Sequence, residues 1–184
     1  MSNDKIFSFP RIEGTNFYGS VDKLEIRNGV AILFGWMFNA DSPEPVTIKV
    51  VSDGRTLARR IADESRPDVL SAGAPSEAVG FQIPLQTTGD EKNISVYATQ
   101  GDNEYLFNSI KLATKLPKQS LTIEDISSVF RLLFLREPED VNAINYQLVH
   151  HAEKSSLFAA MFDSPEFYEK HPALIKLLHD KKFG

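Results

Sequence analysis

Lys115-Leu116-Pro117-Lys118 separates two patterns of residues in this chain. Before it run short β-branched segments punctuated by turn residues, and after it apolar residues recur at spacings of three and four. A period near two followed by a period near 3.6 predicts strands first and helices second, segregated along the chain as in an α+β protein. The pattern divides the chain into an N-terminal arm at 1–16, a β-sandwich domain at 17–114, a linker at 115–119 and a small all-α domain at 120–184.

Upstream of the break, Phe17 to Val21 and Lys23 to Ile26 lead into Asn28-Gly29, residues that tolerate positive φ and suit a tight hairpin turn. The return segment, Val30 to Phe38, is almost continuously apolar and reads as a central strand, either buried on both faces or alternately covering a core and a second module. Asp53-Gly54 joins Val46 to Ser52 with Arg55 to Arg60 by the same backbone logic. Gly80 to Leu85, Ile94 to Gln100 and Tyr105 to Ala113 add three more strands, and the polar segment Ala62 to Leu70 predicts a helical turn or crossover. Strands at this spacing predict an all-β immunoglobulin-like sandwich.

Downstream, Thr122 is a helix cap with Asp125 at the third position, and Ile126, Val129, Phe130, Leu133 and Phe134 form one stripe. Pro138 suits the first turn of a second helix, Ser155 the cap of a third, and Ser164-Pro165 the start of a fourth. His171-Pro172 precedes a last helical segment at Leu174 to Leu178.

Composition narrows the function classes. With 42% hydrophobic residues and thirteen Phe the chain has material for a core, and its net charge of -5, without a Lys/Arg run, argues against nucleic acid. The absence of Cys removes thiolate nucleophiles, disulfides and Cys-based metal centres. No segment approaches the roughly 20 apolar residues of a membrane span, and the first residues have no apolar signal region, so no membrane insertion is expected. The expected route is synthesis in the cytoplasm, with any extracellular role needing a nonclassical exit such as lysis, a dedicated secretion system or incorporation into a particle or surface assembly.

Two resemblances add to this. Gly19-Ser20-Val21-Asp22, Gly35-Trp36, Val50 to Gly54, Ala62, Arg66-Pro67-Asp68-Val69 and Gly80-Phe81 together resemble a bacterial β-sandwich module associated with glycosyltransferases and surface-polysaccharide proteins. Val129 to Pro138, Tyr146, Ser155, Leu157 and Phe162 to Phe167 resemble a small helical family distantly like phycobilisome linker domains. The resemblances imply a partner among bacterial polysaccharides or sugar-transferring proteins, and no enzymatic activity.

The candidate binding residues follow from side-chain chemistry. Tyr97 and Tyr105 lie near a turn and offer aromatic faces; Arg59 and Arg60 suit an acidic polysaccharide or an edge-strand solubility role. Arg66 and Asp68 suit a charged lock around Pro67, and Arg136 and Glu137 an ion pair before Pro138 or a ligand contact. Trp36, in the most apolar strand, reads as core. Adjacent His150 and His151 point about 100° apart on a helix and do not converge on a metal, so neither metal nor cofactor is expected. No phosphate-binding loop, nucleophile elbow or paired catalytic carboxylates stand out. The expected function is therefore noncatalytic recognition of a capsular or other surface polysaccharide, for instance as the spike of a phage-like particle. The alternatives are a scaffold of a glycosyltransferase system and, more remotely, a glycan hydrolase. The arm at 1–16, aromatic and Pro-containing, is expected to order by docking on a protein partner.

Overall fold

The computed structural model describes residues 9–176. Eight strands form two four-stranded antiparallel sheets. The first sheet has the order β1 (Phe17–Arg27), β2 (Val30–Asn39), β6 (Ala78–Pro84), β5 (Glu64–Ser65), and the second β4 (Arg55–Ile61), β3 (Thr47–Ser52), β7 (Asn93–Gln100), β8 (Asn103–Lys111). Helices α1 (Pro67–Ser71), α2 (Ile123–Phe134), α3 (Val141–His150), α4 (Lys154–Phe162) and α5 (Pro165–Lys170) follow in chain order, with a further helical segment at 172–176. The chain is thus mixed α+β, with its strands and main helices segregated. Among the described residues no helix is long and apolar enough to cross a membrane.

Both hairpin turns take the backbone their residues allow: φ is positive at Asn28 and Gly29, and again at Asp53 and Gly54. The segments Phe17 to Val21 and Lys23 to Ile26 are one strand, because a bulge at Asp22 interrupts the register and lets pairing resume at Lys23. The short β5 has no apolar alternation and was not expected from sequence.

One core lies between the sheets, fed by Leu33, Met37, Phe81 and Ile83 from the first and Ile48, Val50, Ile94 and Val96 from the second. Strand β2 is buried on its other face too. Trp36 and Phe38 are covered there by Phe9, Tyr18 and Val69, and Val30, Ile32 and Phe34 meet Val149 and Ala152 of the helical region. This double coverage explains the unbroken apolar run. A separate helical core gathers Leu121, Ile126, Phe130, Phe134, Leu157 and Phe167.

Several expectations need correction. Residues 9–16 of the arm do not wait for a partner: Phe9 packs edge-on against Trp36, with centroids 5.0 Å apart, and Gly19 N–H donates to the Pro10 carbonyl. Residues 1–8 of that arm lie outside the described residues. Residues 115–119 are a packed joint, with Leu116 in the sandwich core and the buried Gln119 donating through Nε2 to the carbonyls of Leu148 and His151. Helix α3 starts after Pro138, because Asp140 caps it by accepting from Ala143 N–H and Asp is among the preferred caps. Helix α4 begins at Lys154, ahead of Ser155, because Ser120 and Leu121 N–H groups hold the Ala152 carbonyl and set the chain's entry earlier. The capping box of Thr122 and Asp125 and the Ser164 cap are as expected, and the end of the segment Leu174 to Leu178 lies outside the described residues.

Candidate functional site

The candidate residues separate into four groups once the fold is known. Tyr97 and Tyr105 do not make one aromatic surface. Tyr105 pairs with the buried Ala98 and turns inward, its ring 5.2 Å from Phe17, whereas Tyr97 pairs with Lys49 and Leu106 on the outer face of the second sheet. Arg59 joins Tyr97 on that face, 3.6 Å from Glu104, which also takes Lys49 Nζ at 2.7 Å. Arg60, the next residue, points the opposite way, as successive strand residues must, so the Arg59-Arg60 pair is divided between two surfaces.

Arg66 and Asp68 form the expected lock, with a third member. Arg66 Nε and Nη2 donate to the two oxygens of Asp68 at 2.8 and 2.7 Å, and Nη1 donates to Asp22 at 2.7 Å. The Arg66 guanidinium holds the Asp68 carboxyl down to about 2, and the two carboxylates hold Arg66 above its ordinary range. Gly80 makes the room: a Cβ there would lie 2.8 Å from Arg66 Cγ and 2.9 Å from the Glu64 carbonyl. The fork of Arg66 is spent on its own chain, so this cluster is structural.

Arg136 and Glu137 do not form an ion pair with each other. Arg136 takes both oxygens of Glu166 at 2.8 Å and lies over the rings of Phe130 and Phe134, while Glu137 accepts from Arg131 Nε at 2.6 Å. The turn at Leu135, where φ is 59°, aims Arg136 at α5 rather than along the chain. These contacts explain the motif by packing: Leu-Arg-Glu-Pro and Ser-Pro-Glu-Phe are tied together through Arg136 and Glu166.

The fourth group, Arg60 with residues that were not binding candidates in the sequence, lines a cleft of about 370 Å³ at the seam between strands and helices. The strand side supplies Arg27 at the end of β1, Arg60 of β4, Glu64 of β5 and Gln82 of β6. The helix side is α3, with Asn142, Asn145, Tyr146 and His150 around Val149. Arg60 Nη2 reaches Glu64 at 3.1 Å and Asn142 Oδ1 at 3.5 Å, so it touches both sides. Burial pushes the Glu64 carboxyl above its ordinary value against the pull of Arg60. Tyr146 is 58% exposed, and its ring stacks on His150 with centroids 4.1 Å apart and planes 27° apart. His150 Nδ1 is 2.7 Å from the Tyr146 carbonyl, one turn back, which fixes the imidazole in that stack.

The arrangement is an exposed aromatic plate bordering a polar cleft with two cations, one carboxylate and three amides. Such a set makes apolar ring contacts and directional hydrogen bonds together, and clefts at the meeting of two packed units are frequent ligand sites. Another hollow, of about 230 Å³, lies beside Met37, Pro43, Pro45, Pro75 and Val79; Glu44 is its one charged lining residue. Among the described residues no group of three or more His, Asp or Glu could hold a metal. Tyr146 and His150 share a helix face at i, i+4, but their closeness to Arg60 and Glu64 depends on how α3 docks, which no local pattern reports.

Comparison of the chain with protein-family models, curated proteins and solved structures finds no match.

Proposed function

We propose that this chain is a noncatalytic saccharide-binding adaptor, recognising bacterial surface polysaccharide through the cleft at the strand and helix seam. The observation that carries the reading is the exposed Tyr146–His150 stack standing over Arg60, Glu64 and the amides of Gln82, Asn142 and Asn145. Sugars present apolar ring faces and rows of hydroxyls, which is the chemistry this plate and these amides serve. The strand order β1-β2-β6-β5 over β4-β3-β7-β8 supports reading the β region as an immunoglobulin-like domain, followed by a helical domain with its own core. One cleft this open suits weak contacts summed over several copies, as on a phage-like spike or a surface assembly.

A glycan array and capsule-extract assay on the full-length protein, presented multivalently, tests this. Selective binding that Tyr146→Ala abolishes, without a lowered melting temperature, is the expected result; no binding to any glycan overturns the reading.

A scaffold of a sugar-transferring assembly is the second reading, favoured by the apolar side chains that the helical region exposes. Leu132, Leu135 and Val141 are 63%, 78% and 68% exposed, apolar side chains that a protein partner would cover. Hydrolysis is the weakest reading, because the cleft lining has one carboxylate, Glu64, and glycoside hydrolysis generally employs two.

A further inference from the structure

The arginines of this chain differ in how they spend their donors. Arg66 and Arg136 each give three N–H groups to acceptors of their own chain, two of them to one carboxylate. Arg55 spends one arm on the Gln86 carbonyl and the other on Glu91. Arg60 is different although its side chain is only 13% exposed. Its contacts are Glu64 and the long approach to Asn142, both through Nη2, and among the described residues neither Nε nor Nη1 has an acceptor. A guanidinium carries five N–H donors in a rigid fork matched to carboxylate and phosphate oxygens. A nearly covered guanidinium with an open fork facing a cleft is a donor site that suits an anion.

We infer that the seam cleft takes a saccharide bearing a carboxylate, with the acid seated on the open fork of Arg60 and the sugar ring against Tyr146. The inference rests on the saccharide reading above and narrows it to acidic glycans. Seating a carboxylate on Nη1 and Nη2 gives up the 3.5 Å contact to Asn142, whose amide is then released toward the sugar hydroxyls, and shares Nη2 with Glu64 at 3.1 Å. Arg27, which also lines the cleft, adds a second positive charge, offset in part by its contact with Glu25 at 3.0 Å. Glu64 sits on the same guanidinium and repels an incoming carboxylate, so it weakens binding and sharpens the need for Arg60. The net -5 charge of the chain adds to that repulsion, so the local pairing rather than the overall field must attract the acid.

The test uses the full chain, immobilised in many copies, against fragments of uronic-acid polysaccharides, each beside its carboxyl-reduced neutral counterpart, with neutral glucans and mannans. The expected result is that at least one acidic fragment binds about tenfold or more tighter than its reduced form, the scale of one charge-assisted hydrogen bond. Arg60→Gln then brings the acidic fragment down to the level of the reduced one, whereas Arg59→Gln, on the opposite face, leaves the preference intact. Glu64→Gln is expected to tighten the acidic fragment. Reduced or neutral glycans binding as well as acidic ones would overturn the inference while leaving the saccharide reading in place. An acidic preference surviving in a folded Arg60→Gln protein overturns the assignment to Arg60, and the comparison of reduced with acidic forms needs no variant if that protein does not fold. Failure of every glycan to bind overturns the inference together with the reading beneath it.

Discussion

At Arg66 three hydrogen bonds turn a surface crossover into a fixed corner, and its partner Asp68 carries the pH dependence. The Asp68 carboxyl is held at about 2 against an ordinary value of 3.8, so its contribution to stability is complete above 3.8 and fades as pH falls through about 2. Asp68→Asn is therefore expected to lower the melting temperature at neutral pH, by a gap that narrows below pH 3.8; thermal melts across pH check this, and a constant gap contradicts it. The Arg66 and Asp68 pairing was legible in sequence because the two residues flank a proline whose φ is fixed. Asp22 was not, because its arrival depends on the bulge in β1 and on a partner 44 residues away. Gly35 is a similar case: its place in the central strand is plain, but the reason for glycine is a Cβ that would lie 2.3 Å from the Ser20 carbonyl and 2.4 Å from Phe81.

Among the elements, those with strong local chemistry are legible in the sequence. The two positive-φ hairpins, the Thr122 capping box and the Ser164-Pro165 start are decided within four residues, so sequence suffices. The starts of α3 and α4 differ from the sequence pattern: the Asp140 cap starts α3 after Pro138, and the tertiary hold on the Ala152 carbonyl starts α4 ahead of Ser155. The tie of Arg136 to Glu166 is likewise tertiary, and it makes the register of α5 against α2 a single linked feature. A double-mutant cycle with Arg136→Ala and Glu166→Ala, followed by denaturant melts, is expected to give a coupling of about 1 kcal/mol for this partly exposed bidentate pair. Additive effects of the two changes would mean that the pair contributes nothing to holding the helices together.

For the whole molecule, the decisive event is the docking of α3 on the outer face of the first sheet. Val149 and Ala152 cover Val30, Ile32 and Phe34, and the buried Gln119 ties the joint to the end of α3. That packing converts Arg60, an ordinary edge arginine in the sequence, into one wall of a cleft whose other wall is Tyr146 and His150. The segregation of strands and helices was readable from the change of period at Lys115 to Lys118, but the cleft was not, because it belongs to the seam. The proposed saccharide would enter there. The most direct measurement follows backbone amide chemical shifts of the full-length, isotope-labelled protein during titration with the glycan that binds best. Shifts gathered on Arg60 to Glu64, Gln82 and Asn142 to His150 are the predicted result; shifts gathered on the outer face around Tyr97, Lys49 and Leu106, with the seam unmoved, would contradict the account.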